Sequence, residues 1–131
     1  MKKVLFVLAA FFFAAPLFAQ DNKQADPKKD AIEFKETTFN FGKIKKGVPV
    51  THDFAFTNVS ESPVIIEVAT ASCGCTTPTW PQAPIAAGKA NKITAGFNAA
   101  APGPFHKTIT VKLHGIEKPV ILTIVGEVVA E

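Results

Sequence analysis

Val50-Thr51-His52-Asp53-Phe54-Ala55-Phe56-Thr57 alternates Val50, His52, Phe54 and Phe56 with smaller or polar residues at a period of two. Successive side chains of an extended chain leave on opposite faces, so the stretch reads as a half-buried strand with His52 and Phe54 on the inward side. Ile93, Ala95 and Phe97 repeat the pattern, and Ile109, Val111 and Leu113 alternate with Thr108, Thr110 and Lys112. Turn-rich breaks at Asn58-Val59-Ser60-Glu61-Ser62, Ala101-Pro102-Gly103-Pro104 and His114-Gly115 separate the runs. No stretch carries the spacing of an amphipathic helix. Strands are predicted near 32–36, 38–44, 49–57, 63–70, 91–98, 105–113 and 118–129, about seven in all. That number and spacing match an all-β fold, an immunoglobulin-like antiparallel β-sandwich.

The sandwich occupies residues 31–131, roughly 100 residues and enough for one small core. Gln20 to Asp30 is polar, rich in lysine and aspartate, and contains Pro27, so 20–30 reads as a flexible linker. Met1-Lys2-Lys3 followed by the apolar run Val4 to Phe18 reads as a signal peptide at 1–19, cut after Ala19 or, as a second site, after Ala15. The run is too short for a comfortable membrane span. No cysteine lies near the cut to take a lipid, so the expected product is a periplasmic or secreted chain without a membrane span.

The 14 basic residues are all lysine, set against 11 acidic ones, and Lys2 and Lys3 belong to the leader. The remainder carries a net charge of only +1. Without arginine the chain lacks the bidentate donor favoured for phosphate and base edges, which argues against nucleic acid as a partner. Of the 12 phenylalanines, Phe34, Phe39, Phe41, Phe54, Phe56, Phe97 and Phe105 lie beyond the leader, within alternating patterns.

Phe56-Thr57-Asn58, Ser62-Pro63-Val64-Ile65-Ile66, Ser72-Cys73-Gly74-Cys75-Thr76-Thr77-Pro78-Thr79-Trp80, Pro84-Ile85, Gly88-Lys89 and Gly103-Pro104-Phe105-His106-Lys107-Thr108-Ile109-Thr110-Val111 together resemble the bacterial DUF1573 family. Its domains are similar to the immunoglobulin-like ASH and MSP modules. Ala86-Ala87-Gly88 departs from the Pro-Gly usual there, which touches only a loop. The resemblance implies the sandwich fold, an exported setting and a binding or scaffold role, and brings no established activity.

Both cysteines lie in Ser72-Cys73-Gly74-Cys75, after an apolar run from Pro63 to Ala71. If 49–57 and 63–70 pair as a hairpin, His52 falls near them, and an antiparallel strand at 105–113 brings His106 to the same pole on the outer face. Three readings compete. A Cys73–Cys75 disulfide is eased by Gly74, but so short a loop stabilises by only about 1.5 kcal/mol. Extended residues two apart also stand about 6.5–7 Å from each other, near the bridging limit. A soft-metal site would bind Cu, or Zn with His52 and His106 completing the set. The third reading is structural, with small buried sulfurs lining the core under a buried Trp80, held in place with Gly74 and Pro78.

Other chemistry has less support. His52 and Asp53 are adjacent and so point to opposite faces, which rules them out as an orienting pair. The carboxylates are scattered singly, leaving no pair for acid–base hydrolysis. Gly42-Lys43-Ile44-Lys45-Lys46-Gly47 lacks Walker spacing and reads as a turn, and Asn58-Val59-Ser60 matches a glycosylation sequon by pattern alone. The expected function is therefore a non-enzymatic binding or scaffold module of the envelope, with no cofactor and with a protein or cell-envelope component as partner. The alternative is a small metal-binding or thiol-redox protein using Cys73 and Cys75.

Overall fold

The computed structural model describes residues 30–130. The expected signal peptide at 1–19 lies outside them, as does all of the linker except Asp30. Eight strands follow one another: β1 (Ile32–Phe34), β2 (Thr38–Lys45), β3 (Val50–Asn58), β4 (Ile66–Ala71), β5 (Thr76–Thr79), β6 (Ala90–Phe97), β7 (Gly103–Leu113) and β8 (Val120–Val129). They form two four-stranded sheets, in the orders β1-β3-β6-β5 and β2-β8-β7-β4. This is the sandwich that the alternation predicts, antiparallel throughout apart from β2, which runs parallel to β8. Among the described residues no helix is long and apolar enough to cross a membrane.

The inward positions build one core. Phe54, Phe56, Ile93, Ala95 and Phe97 face Ile109, Val111, Leu113, Leu122 and Ile124, all buried. Each large apolar side chain removed from water stabilises by about 1.5–3 kcal/mol, and the period of two delivers them to one side of each sheet. Phe97 and Phe105 stack across the sandwich with ring centroids 4.1 Å apart.

Three features differ from the expectations. The eighth strand, β5, is short and contains Pro78, which hides it from a pattern search. It persists because β5 is an edge, bonded only to β6, where a missing N–H interrupts no central ladder. Second, β3 and β4 are not a hairpin: β3 lies between β1 and β6, whereas β4 is an edge of the other sheet beside β7. The chain crosses between sheets after Asn58, and Val64 bridges Ile85 before β4 begins at Ile66. Third, the stretch expected as a turn at 42–47 stays in β2 as far as Lys45, with a bulge between Asn40 and Lys43. Gly42 supplies the positive φ of 68° there, and its N–H is taken by Asn40 Oδ1 at 2.8 Å.

Candidate functional site

The two cysteines occupy the crossover between two edge strands. Ala71 ends β4 in one sheet, Thr76 opens β5 in the other, and Ser72-Cys73-Gly74-Cys75 spans the gap. Backbone bonds hold this crossover at both ends. Ser72 N–H donates to Thr108 O at 2.9 Å, Asn98 N–H to Cys75 O at 3.0 Å, and Thr76 N–H closes the turn on Cys73 O at 3.4 Å. Ser72 Oγ accepts from Thr108 N–H at 3.1 Å.

That turn shortens the Cys73–Cys75 Cα separation to 5.3 Å, below the extended value, and the two sulfurs are joined as a disulfide. The bend does not depend on glycine, contrary to the role expected of Gly74. Gly74 is not among the positive-φ residues, and a Cβ built on it meets nothing within 4 Å. Both cysteines are half-buried, and Cys75 packs against the core. Thr76 is 4% exposed, with Oγ1 3.6 Å from Cys73 Sγ and 3.8 Å from Cys75 Sγ. Disulfide sulfurs carry no hydrogen, so the Thr76 hydroxyl is the donor to them. Sequence reading missed this residue, although its place directly after Cys75 was a usable signal.

His52 stands elsewhere. It shares a row with Ala95 and Pro78, two strand spacings or about 10 Å from β5. Its ring stacks on Phe39 of β2 at 3.6 Å, meets Phe54 edge-on at 4.9 Å, and places Nε2 2.6 Å from Glu36 Oε1. His52 is thus at the expected end of the sandwich and on the inward face, but on the flank away from the cysteines. The reason is the strand order, which sets β6 between β3 and β5. His106 is exposed on the outer face of the other sheet, opposite Val125. Among the described residues no three His, Cys, Asp or Glu side chains assemble in a way that would hold a metal. The four-ligand set of Cys73, Cys75, His52 and His106 is therefore not brought together.

Trp80 also departs from its expected place. β5 runs away from the cysteine end, from Thr76 opposite Phe97 to Thr79 opposite Thr94, so Trp80 lies beyond its far end. It is half-buried against the core, with its Nε1 buried and unpartnered. Asp53 lies outside, accepting from Lys92 Nζ at 2.8 Å and Thr94 Oγ1 at 2.7 Å. The Lys92 bond, aided by that of Thr94, holds the Asp53 carboxyl below the ordinary carboxylate range.

Asn58 is a structural residue rather than a sequon. It is fully buried, Nδ2 donates to Ser62 O at 2.8 Å and to Ile85 O at 2.9 Å, and Oδ1 accepts from Ser60 N–H and Oγ–H. With both amide hydrogens used, it offers no acceptor for a glycan. Its parity with Phe54 and Phe56 was the signal that it points inward.

A family model described as "Protein of unknown function (DUF1573)" matches residues 32–128. The chain belongs to the DUF1573 family. This DUF1573 domain is similar in structure to the ASH/PapD-like domain 7 of human CEP192, at TM-score 0.65 and 9% identity, covering 77% of this chain and 87% of that one. It is similar at TM-score 0.57 and 11% identity to WR4, a C. elegans MSP family member, over 73% of this chain and 97% of the other. A protein of unknown function from Porphyromonas gingivalis W83 matches at TM-score 0.65 and 13% identity, over 75% of this chain and 46% of that larger one. Identities this low carry the immunoglobulin-like fold alone. No curated protein matches the DUF1573 chain.

Proposed function

We propose that this chain is an exported, non-enzymatic binding module of the cell envelope, docking a protein or other envelope component on the outer face of the β2-β8-β7-β4 sheet. The chemistry of that face carries the reading. Thr38, Thr123 and Thr108 align across three strands, Ile121, Thr110 and Thr70 form a second row, and Asn40, Val125 and His106 a third. Ile121 is 45% exposed and Val68, on the same face, 37%. Charge enters at the two ends, where Lys112 Nζ stands 3.7 Å from Glu67 Oε1 and where Lys43 pairs in register with Glu127.

Such a face loses little on desolvation, because hydroxyls and β-branched groups carry no net charge to strip of water. The opposite outer face holds the Asp53–Lys92 pair and is the poorer docking surface. Export rests on the basic and apolar N-terminal segment, and the absence of a catalytic step on the scatter of ionisable groups described above.

A photo-crosslinking residue placed at Thr110 or Ile121 in cells tests the reading, with Ala55 on the opposite face as control. Discrete adducts from the first two positions and none from the third are expected. Equal adducts from all three, or none from any, would overturn it.

A further inference from the structure

The Cys73-Gly74-Cys75 crossover carries chemistry that docking on a sheet face does not use. We propose that Cys73 and Cys75 form an exchange-active dithiol/disulfide couple, whose partner is a thiol or dithiol and whose leaving sulfur takes a hydrogen bond from the buried Thr76 hydroxyl.

Three observations carry this. The cross-link closes a loop too short to constrain the unfolded chain much, and the bonds from Ser72, Asn98, Thr76 and Thr108 hold the crossover without it. Reduction therefore leaves the fold in place. The pair is also reachable: both residues are half-buried, Cys73 between exposed Ser72 and Gly74 and Cys75 between Gly74 and buried Thr76, and the space where a Gly74 side chain would stand is open. Finally, Thr76 Oγ1 lies within reach of both sulfurs. Its bond to a neutral disulfide sulfur is weak, and the same bond to a thiolate is charge-assisted and stronger. The hydroxyl thus favours the reduced state, which raises the reduction potential of the couple.

The exchange balances. A partner thiolate attacks one sulfur, the Cys73–Cys75 bond breaks, and a mixed disulfide forms while the departing sulfur becomes a thiolate beside Thr76. A second partner thiolate then attacks the partner sulfur of that mixed disulfide, releasing the other cysteine. The products are the Cys73/Cys75 dithiol and an oxidised partner, with two electrons and two protons transferred to the pair.

The full chain is equilibrated with glutathione buffers from fully oxidised to excess reduced, quenched in acid, alkylated and weighed. A graded mixture of disulfide and dithiol chains is expected, with the strand circular dichroism of the reduced form unchanged. Thr76→Val should move the equilibrium about tenfold towards the disulfide, about 30 mV for a two-electron couple, whereas Thr76→Ser stays near the parent. A pair that stays oxidised throughout, a reduced chain that melts, or Val and Ser variants that shift alike would overturn the proposal. The reducibility of the parent decides it even if Thr76→Val fails to fold.

Discussion

Asn58 Nδ2 donates to the Ile85 carbonyl at 2.9 Å across 27 residues of chain, pinning the end of β3 to the loop before β6. Lys89 O accepts from Asn58 N–H, and Gly88 N–H donates to Asn58 O, both at 2.9 Å, so every polar group of this buried residue is matched. Asn58→Ala should cost about 2–3 kcal/mol in chemical denaturation, because the Ser60 N–H loses its acceptor and Ile85 O and Ser62 O each lose one of two donors. Asn58→Asp should cost about 3–5 kcal/mol at neutral pH, since it sets a buried carboxylate against those two carbonyls. Equal stability of the two variants would contradict this account.

Gly126 faces the core at the ring of Phe105. A Cβ added there would lie 2.7 Å from Phe105 Cζ and 2.8 Å from Gly42 O. Backbone on one side and a ring stacked on Phe97 on the other leave little room to yield. Gly126→Ala should therefore lose about 1–3 kcal/mol, as overpacked cores do, and Phe105→Leu in the same chain should recover part of it. Thermal melts of the three chains check the outcome.

Trp80 is the single tryptophan and is half-buried. Trp80→Ala should cost about 2 kcal/mol, less than the 3–5 of a fully enclosed aromatic. Trp80→Phe should cost less still, since it keeps an aromatic ring against the core while shedding the unpartnered buried N–H. Urea titrations of the three chains measure both differences.

Asp53 titrates below the ordinary aspartate range because Lys92, and then Thr94, hydrogen-bond its charged form. A depressed folded pKa gives stability that is present above the unfolded value and fades as pH falls through the folded one. The contribution of Asp53 should accordingly vanish only as pH falls below the ordinary aspartate range, and Lys92→Met should move its titration upward. Carbon-detected NMR of the carboxyl follows both.

The facing of the strands was legible in the chain: His52 inward, His106 outward, Phe54 and Phe56 in the core. Alternation is a local property, because each peptide unit turns the next side chain over whatever lies beyond it. Pairing is not local. The β3–β4 hairpin fails because β3 pairs with β1 and β6 and β4 with β7, partners drawn from elsewhere in the chain. β5 stayed hidden because its four residues hold a proline that only an edge position accommodates.

The sequence by itself determined the sandwich, its inward residues and the proximity of Cys73 to Cys75, all set by spacing along the chain. Tertiary structure alone decided that β6 separates His52 from the cysteines, that Trp80 stands at the far end of β5, and that the Thr76 hydroxyl reaches both sulfurs. Those relations depend on which distant segments bury their faces together, a choice governed by the free energy of the whole core and not by any one stretch.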